Sequence, residues 1–180
     1  MTFRRTLLFS IILMAVGVLV APAQREIPKD LKITLERYTR LGSSPSYSLT
    51  ITADGIVKFT PFGKPAYHAE GTEPSARLTG NITTRQVRRL LAEFQKIKFF
   101  SLRNHYDDSD ESRGGPSCPK YLTDGGSAII SIVENGKHKT VHHYGGCIGP
   151  KVLKTLGALE DKIDKTTNSD QWTSQFVWPY

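Results

Sequence analysis

The sequence predicts an α+β fold. The expected architecture is a two-layer sandwich, with an antiparallel sheet of about five or six strands carrying two helices on one face. Three observations predict it. Strict apolar–polar alternation occurs around two Xaa-Gly pairs, Asp54-Gly55 and Asn135-Gly136, which are strong hairpin signals. Each hairpin is followed by a segment with apolar residues at helical spacing. The two halves also superpose as a ββα pseudo-repeat: setting Gly55 on Gly136 puts Leu49 on Ile130, Ile51 on Ile132 and Lys58 on Lys139.

The first 23 residues are expected to lie outside this fold. Arg4 and Arg5 precede an apolar run from Thr6 to Val20, and Ala21-Pro22-Ala23 supplies a cleavage site. That is the layout of a secretory signal peptide cut after Ala23, leaving residues 24–180 as one domain in the periplasm or outside the cell. The run is short of the ~20 residues a spanning helix needs, so no stable membrane anchor is expected after cleavage. The paired arginines fit a twin-arginine route only in part. Net charge is +7, of which the leader holds two arginines. The basic residues are scattered, and no helix-turn-helix, zinc-finger or RNA-stacking motif accompanies them, so nucleic acid is not an expected partner.

In chain order, Lys32–Tyr38 alternates and reads as a strand, and the halves of the pseudo-repeat run over about 32–102 and 127–165. In Ser46–Ala53, Tyr47, Leu49, Ile51 and Ala53 face one way and Ser46, Ser48, Thr50 and Thr52 the other, which makes a strand with one buried and one wet face. Ile56–Thr60 returns, and Ala76–Leu78 is a candidate short strand. Thr83 and Gln86 form a capping box, and Ile82 is placed to staple onto Val87. Val87, Leu90, Leu91, Phe94 and Ile97 form the stripe of the first helix, after which Phe99, Phe100 and Leu102 are expected to plug the core.

The stretch 104–126 is long for a structureless connection. It carries Asp107, Asp108, Asp110 and Glu111, which lack the calcium-loop pattern and read as a solvated acidic loop. It also carries Cys118. An exported chain with two cysteines is expected to join them, and a Cys118–Cys147 bridge ties this loop to the end of the second hairpin. A catalytic thiol at Cys118 or Cys147 is the competing reading. Gly149-Pro150 suits a helix start with proline at the first helical position. Val152, Leu153, Leu156, Leu159 and Ile163 form the stripe of that helix. The tail 166–180 carries Trp172, Phe176 and Trp178, which are expected to lie back on the body.

Several segments together resemble domain-of-unknown-function family 6438: ITLERYTRLGSSPSYSLTITADGIVKF, FFSLRNHYDD, CPKYLTDGG, NGKHKTVHHYGGC and LEDKID with Trp172. The likeness covers roughly 33–172. It implies an exported bacterial single-domain protein and no established activity. Where the family often shows Gly-x-Cys-Pro-x-Tyr, this chain has Gly42-Ser43-Ser44-Pro45-Ser46-Tyr47. With Ser44 in place of that cysteine, no thiol or metal role carries over to that point.

A two-residue Asn135-Gly136 turn dictates facing pairs: Glu134 with Lys137, Val133 with His138, Ile132 with Lys139 and Ile130 with Val141. Ile130, Ile132 and Val141 then face the helices. Ser131, His138, Thr140, His142 and Tyr144 lie on the opposite, polar face, beside Ser48, Thr50 and Thr52 if the hairpins join, and form the candidate binding face. His138 and His142 are roughly 13 Å apart along the strand, too far to ligate one ion together. A metal site would need His105, His68 or the acidic loop to approach; its candidate ligands are His105, His138, His142, Asp107 and Asp108. No catalytic motif is present, and no cofactor is expected. The leading expectation is a non-catalytic module that binds an envelope or extracellular protein through its open sheet face or its long loop. The alternative is a metal-assisted hydrolase.

Overall fold

Every second residue of the long strands disappears into one layer, because a strand turns successive side chains to opposite faces. The computed structural model describes residues 26–38, 46–62, 77–107 and 115–174. The strands are β1 (Lys32–Tyr38), β2 (Ser46–Thr52), β3 (Ile56–Phe62), β4 (Leu78–Asn81), β5 (His105–Tyr106), β6 (Lys120–Tyr121), β7 (Ser127–Glu134), β8 (Lys137–Tyr144) and β9 (Cys147–Ile148). The helices are α1 (Thr84–Lys96), α2 (Lys151–Thr167) and the short α3 (Asp170–Thr173). Seven strands form one sheet in the order β4-β3-β2-β1-β7-β8-β5, and β6 pairs with β9 in a separate ribbon. All pairings are antiparallel except the edge pair β5–β8.

The predicted α+β sheet with helices is therefore present, and it has seven strands rather than five or six because the short β4 and β5 extend its two edges. The hairpins do not join directly. β1 lies between them, pairing Ile33 with Ile51 and Ile132, and Leu35 with Leu49 and Ile130. Two apolar rows result: Ile132–Ile33–Ile51–Val57 and Ile130–Leu35–Leu49–Phe59, every member fully buried. The second hairpin has the expected register, from Glu134–Lys137 through Ile130–Val141.

α1 and α2 cover that apolar face. Thr83 caps α1, and the reciprocal bonds with Gln86 complete the capping box. Val87, Leu90, Leu91 and Phe94 of α1, and Leu153, Leu156, Leu159 and Ile163 of α2, enter the same core. Pro150 stands one residue ahead of α2, as its N-cap. Phe99 plugs the core against Phe94, ring centroids 4.9 Å apart, but Phe100 is exposed and Leu102 only partly buried. The left-handed backbone at Lys98 leads into a 3-10 turn over Phe99–Ser101, and so tight a turn sends neighbouring side chains in different directions. Trp172 packs on Phe59 and fills the space over Gly80, where any β-carbon would collide with the indole. Phe176 and Trp178 lie outside the described residues.

Cys118 and Cys147 are joined, which overturns the catalytic-thiol reading. Closing this loop stabilises the fold by about 3–4 kcal/mol in the chain-entropy picture. The stretch after α1 is not structureless: it carries β5, β6 and the bridge. No described helix is long and apolar enough to cross a membrane. The leader, the segment with Ser44, and Asp108, Asp110 and Glu111 lie outside the described residues.

Candidate functional site: the open sheet face and its histidine edge

With the helices on one side, the alternate residues of each strand face the other way. The register places Thr79, Lys58, Thr50, Thr34, Ser131 and Thr140 in a single row across six strands. Thr34, Thr50, Ser131 and Thr140 are half-exposed, and Lys58 and Thr79 are exposed. β-Branched threonine suits this surface, since it satisfies the pleat while leaving a hydroxyl in water. Ser131 and Thr140 share a hydrogen bond of 2.9 Å.

The next row contains Thr60, Ser48, Glu36, Ile129, His142 and His105. His105 arrives there through the short parallel strand β5. Its neighbour Tyr106 is buried, so the alternation of the strand puts His105 on the open side. The strand is held in place by three bonds. The His142 N–H donates to the Asn104 carbonyl at 2.7 Å. Lys139 donates to the Leu102 carbonyl and, at 2.6 Å, to Asn104 Oδ1. His105 and His142 stack with centroids 4.7 Å apart and planes inclined by 20°. His105 Nδ1 lies 3.1 Å from Asp107 Oδ2. One donor atom each from His105, Asp107 and His142 fall within 4.8 Å of one another.

The candidate residues thus separate. His105, Asp107 and His142 come together; His138 is exposed further up the strand and bonds Thr140 Oγ1 at 3.2 Å. Asp107 is mostly buried and paired with the imidazole rather than solvated. Tyr144 does not belong to an exposed face: it is buried, its hydroxyl donating to the Leu122 carbonyl at 2.6 Å and accepting from the Gly125 N–H at 3.0 Å. The chain folds back over this end of β8, where a β-carbon on Gly125 would collide with the Gly146 backbone and one on Gly146 with the Leu122 carbonyl and the Tyr144 ring. His68 and Asp108 lie outside the described residues.

A second polar cluster sits under the sheet, and the sequence reading passed over it. Arg37 of β1 bonds Glu160 Oε2 at 2.8 Å and Asp164 Oδ2 at 2.8 Å on α2. Glu160 also meets His143 Nδ1 at 2.6 Å, and Asp164 accepts from the Tyr47 hydroxyl at 2.7 Å. Burial works to lower the Arg37 pKa, but the Asp164 and Glu160 carboxylates outweigh it and hold the guanidinium above its ordinary range. Burial, then Asp164, pushes the Tyr47 hydroxyl up. A signal for the cluster existed: Arg37 continues the Ile33, Leu35 alternation, His143 follows Val141, and Glu160 falls between Leu156 and Ile163 at helical spacing. A cavity of about 260 Å³ opens beside it, lined by Arg37, Tyr38, Ala128, His143 and Glu160 among others.

Fold and bridge together define a disulfide-linked two-layer α+β domain with one polar sheet face. The chain belongs to the family described as domain of unknown function, DUF6438, whose model matches residues 31–167. No curated protein matches the chain.

Proposed function

We propose that this is an exported, non-catalytic binding module that engages a protein or peptidic partner of the envelope or extracellular space through its open sheet face. The observation that carries this reading is the polar row from Thr79 to Thr140 across six strands, five hydroxyls and Lys58, on the side away from all described helices. Such a surface offers many donors and acceptors at fixed spacing on a rigid scaffold, which suits recognition. Export is supported by the leader-like first 23 residues and by the disulfide, a bond that persists in oxidising compartments. Cross-linking in intact cells followed by affinity capture tests the reading. Replacing Thr34 and Thr140 with arginine should remove the captured partner, while Lys165→Glu on α2 should not. Capture unaffected by the arginines would overturn it.

The second reading, a metal-assisted hydrolase, is favoured by the gathering of His105, Asp107 and His142. Of two hollows among the described residues, the 260 Å³ cavity and a cleft of about 380 Å³ beside Glu26 and Asn135, neither is lined by any of the three. Hydrolysis of ester, phosphodiester and peptide substrates by zinc-loaded protein, abolished in His142→Ala, is the result that would promote it.

A further inference from the structure

We propose that His105, Asp107 and His142 form a binding site for one zinc-class divalent ion, at the edge of the sheet where β5 joins β8. The hydrolase reading rests on this site; the binding-module reading does not.

The donor set defines the ion. Two imidazole nitrogens and one carboxylate oxygen suit zinc and its neighbours. Calcium, by contrast, takes six to eight oxygens, and magnesium keeps most of its water. Three protein ligands also leave a tetrahedral ion one position for water or for a donor from a bound partner.

The geometry is close to what such an ion needs. Ligand atoms at about 2.0–2.1 Å from a tetrahedral zinc stand roughly 3.3 Å from one another. Here they already lie within 4.8 Å. The remaining gap is within reach of side-chain rotation, because all three residues are partly exposed. The backbone already brings the three side chains together. Parallel pairing sets His105 directly beside His142, buried Tyr106 anchors β5 from below, and the bonds to Asn104 and Leu102 hold the approach. Asp107 lies two residues beyond His105, so its side chain returns to the same side, and its carboxylate already meets the imidazole.

Two consequences follow. An ion here clips the two-residue strand β5 to β8, so it stabilises the folded state by mass action. It also stands at the end of the open face, in the row that contains Glu36 and Ser48.

The test uses the mature protein without a histidine tag. After dialysis against Zn²⁺ and then metal-free buffer, elemental analysis should give one zinc per chain for the wild type and for His138→Ala. His105→Ala and His142→Ala should retain almost none. Asp107→Asn, which keeps shape and removes charge, should weaken binding at least tenfold. Co²⁺ should give the absorption of a low-coordinate nitrogen–oxygen site, and added zinc should raise the melting temperature of the wild type but not of His142→Ala. Circular dichroism checks that each variant is folded; if an alanine variant is not, Asp107→Asn decides. Wild-type protein without stoichiometric metal, or equal occupancy in the histidine variants, would overturn the site, leaving His105–Asp107 as a hydrogen-bonded pair only. A loaded protein with no turnover would remove the hydrolase reading and leave the site standing.

Discussion

At the scale of the residue, Arg37 shows how a charge becomes structural. It sits on β1 two positions past Leu35, where alternation sends its side chain under the sheet toward α2. There Glu160 and Asp164 meet it, and the side chain of Glu160 is only 4% exposed. Removing one partner of such a network leaves the other charges desolvated and unpaired. Arg37→Met should therefore lower stability by about 3–5 kcal/mol in urea unfolding. Adding Glu160→Gln and Asp164→Asn should recover part of that loss, because the stranded charges are gone. If Arg37→Met alone costs no more than a surface substitution, the network is ornamental. The types and spacings of Arg37, His143 and Glu160 stand in the sequence at core-periodic positions. Their mutual pairing does not, since it joins β1, β8 and α2.

At the scale of the element, the second hairpin is the most self-determined part of the chain. Asn135 and Gly136 both adopt positive φ, 52° and 72°, the backbone that a tight two-residue turn requires and that Asn and Gly tolerate best. The structure adds a partner from more than a hundred residues away: Asp30 accepts from the Asn135 N–H at 2.9 Å and the Gly136 N–H at 2.6 Å. The Gly136 bond is the leading cause that holds the Asp30 carboxyl below the usual carboxylate range. A carboxylate depressed in the folded state contributes stability above its unfolded value, and that contribution is lost as pH falls through the folded value. Asp30→Ala should thus melt lower than the wild type at neutral pH, and the two curves should converge as the pH falls below the carboxylate range. A gap independent of pH would show that charge at Asp30 does not support the turn.

At the scale of the whole molecule, β1 is the keystone. It contributes Ile33 to one apolar row and Leu35 to the other, and joins two hairpins that otherwise do not touch in the sheet. Two-stranded hairpins are marginal alone in water. A chain beginning at residue 39 should accordingly fail to fold, with no cooperative thermal transition by circular dichroism, whereas one beginning at residue 26 should unfold cooperatively. A cooperative transition in the shorter chain would mean that the hairpins can pair without β1. The same long-range architecture explains the candidate site. His142 belongs to the hairpin, while His105 and Asp107 come from beyond α1, so only the parallel β5–β8 pairing unites them.

The sequence by itself determined what depends on neighbours along the chain: the α+β class, the register of the second hairpin, the capped start of α1 and the apolar stripes of both helices. Period and turn chemistry are local, so they can be read residue by residue. It also narrowed the disulfide to one pair, because only two cysteines exist. Tertiary structure alone decided the placement of β1 between the hairpins, the burial of Tyr144 under the 122–126 loop, the Arg37–Glu160–Asp164 network and the meeting of His105, Asp107 and His142. Each of these is a contact between segments far apart in the chain, set by which surfaces pack together rather than by any local pattern.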